Sequence, residues 1–193
     1  MVSVSPSALE SMHNRKSPIR SFYANLLSFE TYYEDQWFPY TMPVSDILGL
    51  HQALLEMSQQ EYGLLRHEII AAATRKALTD AGLTLYLESG YASSVTVCYV
   101  PEGLTDREIL DHMVEKYHIM IAGCFDVLAG KVIRIGHMGN NANVSDMKET
   151  LAALGQTLEY LGFPCRKNPE EVFEKEIEKL CRERGLLSPP CWL

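Results

Sequence analysis

The sequence predicts an α/β chain whose main folded unit is a small α+β sandwich. Three observations predict it. From about residue 59 to residue 161, helical apolar spacing and β-branched alternation follow the order helix, strand, strand, helix, strand, strand, helix. A Thr-x-x-Glu capping pattern opens the middle helix. Finally, 47% hydrophobic residues in a chain of 193 suffice to bury a sizeable core.

In chain order, "MVSVS" alternates β-branched residues and predicts a short strand that stops at Pro6, after which Ser5 caps a helix with Pro6 in its first position. Residues 19–45 hold Phe22, Tyr23, Phe29, Tyr32, Tyr33, Trp37, Phe38 and Tyr40, denser in aromatics than a surface loop normally is. That density predicts contact with a further domain or a partner chain, the other reading being a local aromatic core. Ser45 then caps a helix with Ile47, Leu48, Leu50, Leu54, Leu55 and Met57 at helical spacing. A second helix runs from about Gln59 to Ala81 and stops at Gly82, with a domain boundary near Gln60. Two strands are expected within residues 83–103, the stronger at 95–100, where Val95, Val97 and Tyr99 alternate with Thr96 and Cys98. Thr105 and Glu108 open a helix that turns Ile109, Leu110, Met113, Val114 and Tyr117 inward. "HIMIAG" and "KVIRIG" read as two more strands, and Asn143 caps a helix with Val144, Met147, Leu151, Leu154, Leu158 and Leu161 as its stripe. From Pro164 the composition shifts to a charged helix with Val172, Phe173, Ile177 and Leu180 on one face, ending in "LLSPPCWL".

A net charge of −8 with no clustered Lys/Arg stripe excludes nucleic acid and anionic membrane as expected partners. No apolar run approaches the roughly 20 residues of a membrane span, and neither end carries a basic segment followed by an apolar one, so a soluble cytoplasmic protein is expected. Cys98, Cys124, Cys165, Cys181 and Cys191 are odd in number, widely spaced and without a C-x-x-C pair. They read as reduced thiols, with no disulfide framework and no zinc site.

Few residues carry chemistry. Glu68 beside His67 lies within a helix, where neighbours point apart, so a dyad is not expected. His112, His118 and His137 stand singly and read as polar surface or loop residues. Nucleophile-elbow, H-x-x-x-H and P-loop patterns are missing. There remains Arg134, in "GKVIRIGHMGNN". A cation flanked by Val132, Ile133 and Ile135 needs an anion, either an internal carboxylate or a ligand. A guanidinium on a rigid strand can grip a carboxylate through two parallel hydrogen bonds, and Gly136 and Gly139 permit close approach of backbone.

"GKVIRIGHMGN" followed by a helix, "YTMPVSDILGLHQAL" about ninety residues upstream and the opening "MVSVSPSALESMHNRKSPIRSFY" together resemble the C-terminal half of class V, fold type I pyridoxal-phosphate aminotransferases. Within that class the resemblance is to the alanine:glyoxylate and serine:pyruvate aminotransferases, over residues 1–163 and not the tail. It implies that residues 1–60 end the large, cofactor-binding domain and that 61–163 form the small α+β domain; residues 164–193, which it does not cover, read from their composition as a helical C-terminal extension. It implies that Arg134 holds the α-carboxylate of a small amino acid or 2-oxo acid, and that Thr41 reaches the phosphate of pyridoxal phosphate bound by the neighbouring subunit. A tyrosine hydroxyl three positions before that threonine serves the same phosphate in some members. Here that position is Phe38, and Tyr40 is the nearby hydroxyl.

The resemblance also implies that the Schiff-base lysine, the aspartate on the pyridinium nitrogen and the stacking aromatic precede residue 1. None of Lys16, Lys76, Lys116 and Lys131 sits in a Gly-Ser-Gln-Lys-like run. The chain is thus expected to be catalytically incomplete alone and to bind the cofactor poorly, working as a homodimer or with a complementary N-terminal chain. The alternative is a non-catalytic dimerising or regulatory module derived from the small domain.

Overall fold

The computed structural model describes residues 2–60 and 62–185. The chain divides into two compact units, Met1–Gln59 and Gln60–Leu193.

The first unit has two helices and almost no interior. Helix α1 (Pro6–His13) starts where expected, with the Ser5 hydroxyl accepting the Ala8 amide at 3.2 Å. Residues 2–5 form no strand: they pair with no strand among the described residues, and the last of them is the cap of α1. Helix α2 (Val44–Ser58) begins one residue before the expected Ser45 cap, with Pro43 in the cap position and no side-chain bond there. Its apolar residues are placed as a core stripe would be, yet α2 buries none of them; Leu48 is 62% exposed and Met57 65%. Between the helices the aromatics do pack locally. Tyr40 makes ring contacts with Phe22, Tyr23, Phe29 and Phe38, at centroid distances from 4.8 to 6.4 Å. Tyr23, Tyr33 and Trp37 nevertheless keep more than half of their surface exposed.

The second unit holds the core. Helix α3 (Gly63–Ala81) buries Ile69, Ile70, Ala73, Ala77 and Leu78, and it ends at Gly82, whose φ of +104° is the left-handed stop that glycine adopts without strain. Strands β1 (Val95–Tyr99) and β2 (Val132–Gly136) pair antiparallel, with Val97 opposite Arg134. The other two expected strands shrink to single bridges on either side, Leu85 with Cys98 and Ala122 with Arg134. On one side the chain turns away at Gly90, φ +73°; on the other it leaves at Gly123, where an added Cβ would stand 3.0 Å from the Asp106 carboxylate. Helix α4 (Asp106–Tyr117) has the expected box: Thr105 Oγ1 accepts the Glu108 amide at 3.2 Å, and Glu108 Oε2 accepts the Thr105 amide at 2.9 Å. Helix α5 (Val144–Tyr160) opens on Asn143, whose Oδ1 accepts the Asp146 amide at 2.8 Å.

Helix α6 (Pro169–Glu183) packs on α3 and α5, and Phe173, Ile177 and Cys181 complete the same apolar cluster as Ile70, Leu78, Leu151 and Leu154. Gly155 permits that contact, since a Cβ there would lie 2.9 Å from Pro169 Cγ. The expectations for "LLSPPCWL" and Cys191 fall outside the described residues. Cys98, Cys124, Cys165 and Cys181 are free thiols, and burial pushes the Cys98 thiol up to about 12.

Candidate anion-binding site

Strand β2 alternates buried Val132, Ile133 and Ile135 around a half-buried Arg134. The Arg134 main chain is fully used: its N–H donates to Ala122 O at 2.6 Å and its C=O accepts the Ala122 amide at 3.0 Å. The side chain continues the same seam. Nε–H donates to Gly123 O at 2.7 Å, and the guanidinium lies over the Phe125 ring at 5.6 Å from its centroid. These contacts fix the stem and the plane of the group. Among the described residues no Asp or Glu forms an ion pair with Arg134. Of the two anions the sequence left open, the internal carboxylate is therefore not found there. A guanidinium seated through Nε and an aromatic face presents its two terminal nitrogens as a fork for a planar anion.

The turn after Arg134 is tied down from two directions. His137, expected as a surface or loop residue, is fully buried. Its Nδ1 lies 3.2 Å from Ser93 O and its Nε2 lies 2.8 Å from Thr96 Oγ1. A carbonyl can only accept, so Nδ1 carries the proton and Nε2 takes the threonine's. Burial holds the His137 pKa below the usual imidazole value; Arg75 and His67 push the same way, against the bond to Ser93. Two residues on, Gly139 adopts φ +60° with open space where a Cβ would stand. Its amide donates to His67 Nε2 at 3.0 Å, while its carbonyl accepts from Arg66 Nη2 at 3.0 Å. His67 Nδ1 in turn lies 2.6 Å from Gly63 O. Only Gly139 of the two glycines has a backbone that demands glycine; at Gly136 a Cβ would make ordinary contact with Met138.

Reading one residue at a time missed Arg66, His67, Thr96 and His137. The His67–Glu68 pair is indeed no dyad, because Glu68 faces Arg184 at 3.6 Å. His112 is half-buried against Tyr160, with rings 4.4 Å apart, and Nδ1 stands 3.0 Å from Thr157 Oγ1. His118 ends α4 in the left-handed conformation. Tyr40 and Thr41 belong to the first unit and Arg134 to the second. The Tyr40 hydroxyl donates to Phe22 O at 2.6 Å, and Thr41 is exposed.

The described lysines do not fit a Schiff-base site, which needs an amine held neutral by burial or by neighbouring cations. Lys16, Lys116 and Lys131 are exposed, and Lys76, Lys148, Lys167, Lys175 and Lys179 pair with carboxylates. Hydrogen bonds donated to Glu174 and Glu176 raise the Lys148 and Lys179 pKa values, the opposite of what an amine nucleophile requires. Among the described residues no cluster of His, Cys, Asp and Glu could hold a metal, and no helix is long and apolar enough to cross a membrane.

No protein-family model matches the chain. Sequence relatives are clear. An uncharacterized aminotransferase of Methanocaldococcus jannaschii is 34% identical over 182 residues, covering 92% of this chain and 47% of that protein. The small subunit of a soluble hydrogenase of Synechococcus is 35% identical over 166 residues, covering 81% and 42%. L-Aspartate–glyoxylate aminotransferase of Paracoccus denitrificans is 33% identical over 144 residues, covering 72% and 36%. Among solved structures, pyridoxamine–pyruvate aminotransferase of Mesorhizobium loti superposes with a TM-score of 0.81 at 26% identity, covering 91% of this chain and 46% of that one. A match over 92% of the chain is longer than residues 1–163 and takes in the start of α6. The chain spans about half the length of the curated relatives it matches or less.

Fold and sequence thus define the C-terminal part of a class V, fold type I aminotransferase. More particularly, its homologues are aminotransferases of the alanine/serine–glyoxylate type.

Proposed function

We propose that the chain forms the substrate-gripping C-terminal portion of a pyridoxal-phosphate aminotransferase that moves an amino group between a small amino acid and a 2-oxo acid of glyoxylate or pyruvate type. The observation that carries this reading is the Arg134 fork, held on a strand and given no internal carboxylate among the described residues. Every amino acid and 2-oxo acid in such a reaction has an α-carboxylate. A bidentate grip on it sets where the reacting carbon stands without choosing the side chain. In the complete assembly pyridoxal phosphate supplies the electron sink, and the lysine it requires comes from polypeptide other than this chain's described lysines. Thr41 reaches the cofactor phosphate across a subunit boundary in this reading, with residues 1–60 ending the large domain. The complement is a second copy or an N-terminal chain, docking on the exposed apolar helix α2 and the aromatics from Tyr23 to Trp37.

The test is a pyruvate titration followed by NMR, with Arg134→Gln beside the unaltered chain. Removing both charge-assisted bonds weakens pyruvate binding by about a hundredfold, to below detection. Pyruvate shifts that persist unchanged in the Gln variant refute the reading. Borohydride with added pyridoxal phosphate should trap no specific lysine adduct.

A second reading, a non-catalytic dimerising or regulatory module, is favoured by one observation: residues 60–193 form a compact unit with its own core. Limited proteolysis separates the two. Loss of the first sixty residues with pyruvate binding and dimer intact supports the module.

A further inference from the structure

We infer that His67, at the start of α3, is a positioning residue for Arg134: as a neutral, Nδ1-protonated imidazole it accepts the Gly139 amide and so fixes the turn through which β2 leaves the anion site. The inference rests on the reading of Arg134 as the carboxylate ligand and adds to it a residue from a distant part of the chain.

The tautomer follows from the partners. His67 Nδ1 faces the Gly63 carbonyl at 2.6 Å, so Nδ1 is the donor. Nε2 faces a backbone N–H at 3.0 Å, so Nε2 must be bare. The bond to Gly63 thereby sets which nitrogen is free to hold Gly139. Arg66 closes the other half of the clasp, donating from Nη2 to Gly139 O at 3.0 Å and to Gln60 Oε1 at 3.2 Å. Its Nε is buried without a partner, so the guanidinium is placed for this carbonyl at the expense of one donor.

Gly139 sits at φ +60° with nothing within 4 Å of where a side chain would stand, and the short turn it opens is closed from within by the Ala142 amide, which donates to Gly139 O at 3.2 Å. Between it and Arg134 lie only Ile135, Gly136, His137 and Met138, and His137 is anchored to β1 at Thr96 and to Ser93 just before that strand. The turn is thus pinned to β1 by one neutral imidazole and to α3 by another. With both pins in place, β2 ends in a single geometry and Arg134 keeps its register against Ala122 and Gly123.

Three variants test this in the full chain: His67→Leu removes the acceptor, His67→Gln can restore it through Oε1, and Arg134→Gln reports on the anion site itself. In the unaltered protein, long-range proton–nitrogen NMR spectra should show His67 protonated at Nδ1, with a coupling across the bond from the Gly139 amide to Nε2. Protonation at Nε2 overturns the inference directly. His67→Leu should speed hydrogen exchange about tenfold at both the Gly139 amide and the Arg134 Nε–H, the ratio that loss of one ordinary hydrogen bond gives. His67→Gln should recover most of it. If Leu loosens Gly139 but leaves Arg134 Nε–H unchanged, His67 is a local structural residue and the inference fails. Pyruvate keeps the two claims apart. Binding that ignores Arg134→Gln removes the carboxylate reading, whereas binding lost in Arg134→Gln but untouched in a folded His67→Leu removes only the positioning role.

Discussion

Replacing Phe173 by alanine tests whether the last helix is part of the fold or an appendage. Phe173 is fully buried on the face of α6 that meets α3 and α5, with Ile177 one turn on. Truncating a buried phenylalanine removes its burial and leaves a cavity the surroundings only partly fill, a loss of about 4 kcal/mol. With a urea m-value of about 2 kcal/mol/M, the unfolding midpoint falls by about 2 M. The assay is urea unfolding followed by circular dichroism, with Glu178→Ala as control. Glu178 is exposed on the same helix, and its loss costs no more than about 0.5 kcal/mol. Both changes leave the local sequence helical, so only packing distinguishes them. If the Phe173 variant shifts no further than the Glu178 variant, α6 does not share the core and the packing described is wrong.

Two further outcomes follow from single contacts. Gly155→Ala should destabilise, by about 1–3 kcal/mol, even though alanine for glycine inside a helix ordinarily gains up to about 1 kcal/mol, because the new Cβ meets the rigid Pro169 ring at 2.9 Å; a rise in melting temperature would show that α5 and α6 are not so close. The His137 pKa lies below that of an unfolded histidine, so the folded state binds fewer protons. Its contribution is complete above the unfolded value of about 6.5 and is lost as pH falls toward the depressed folded value. Melting temperature should therefore decline with acidification below about pH 6.5 less steeply in His137→Gln, and equal slopes would contradict the neutral buried imidazole.

Helix ends were legible because they are local. Ser5, Thr105 and Asn143 each meet their amide within three residues, so the partners are visible in the sequence itself. The fringes of the sheet were less so: residues near 85 and 122 have strand composition, but each keeps a single bridge, and the length of a pairing depends on the partner strand, which composition does not show. The stripe of α2 was legible as apolar but its exposure was not, since periodicity reports which face seeks cover and not whether the same unit supplies it. In α6 the apolar face was legible through Phe173 and Ile177, and Cys181, one helical turn further on, extends the same buried seam. Arg134 stood out as a cation among aliphatics. His67 and His137 did not, because their partners are 72 and 41 positions away and no motif links them.

That separation in sequence also orders events during synthesis and folding. Contacts between segments so far apart carry the larger loop-closure cost and are slower to form than local ones. A nascent chain that has made β2 but has not yet docked the start of α3 has the seat of the arginine at Gly123 and Phe125 but not the clasp on Gly139. Partly folded forms of that kind carry a loose turn beyond β2, and the clasp on Gly139 closes only when α3 and β2 belong to one folded unit.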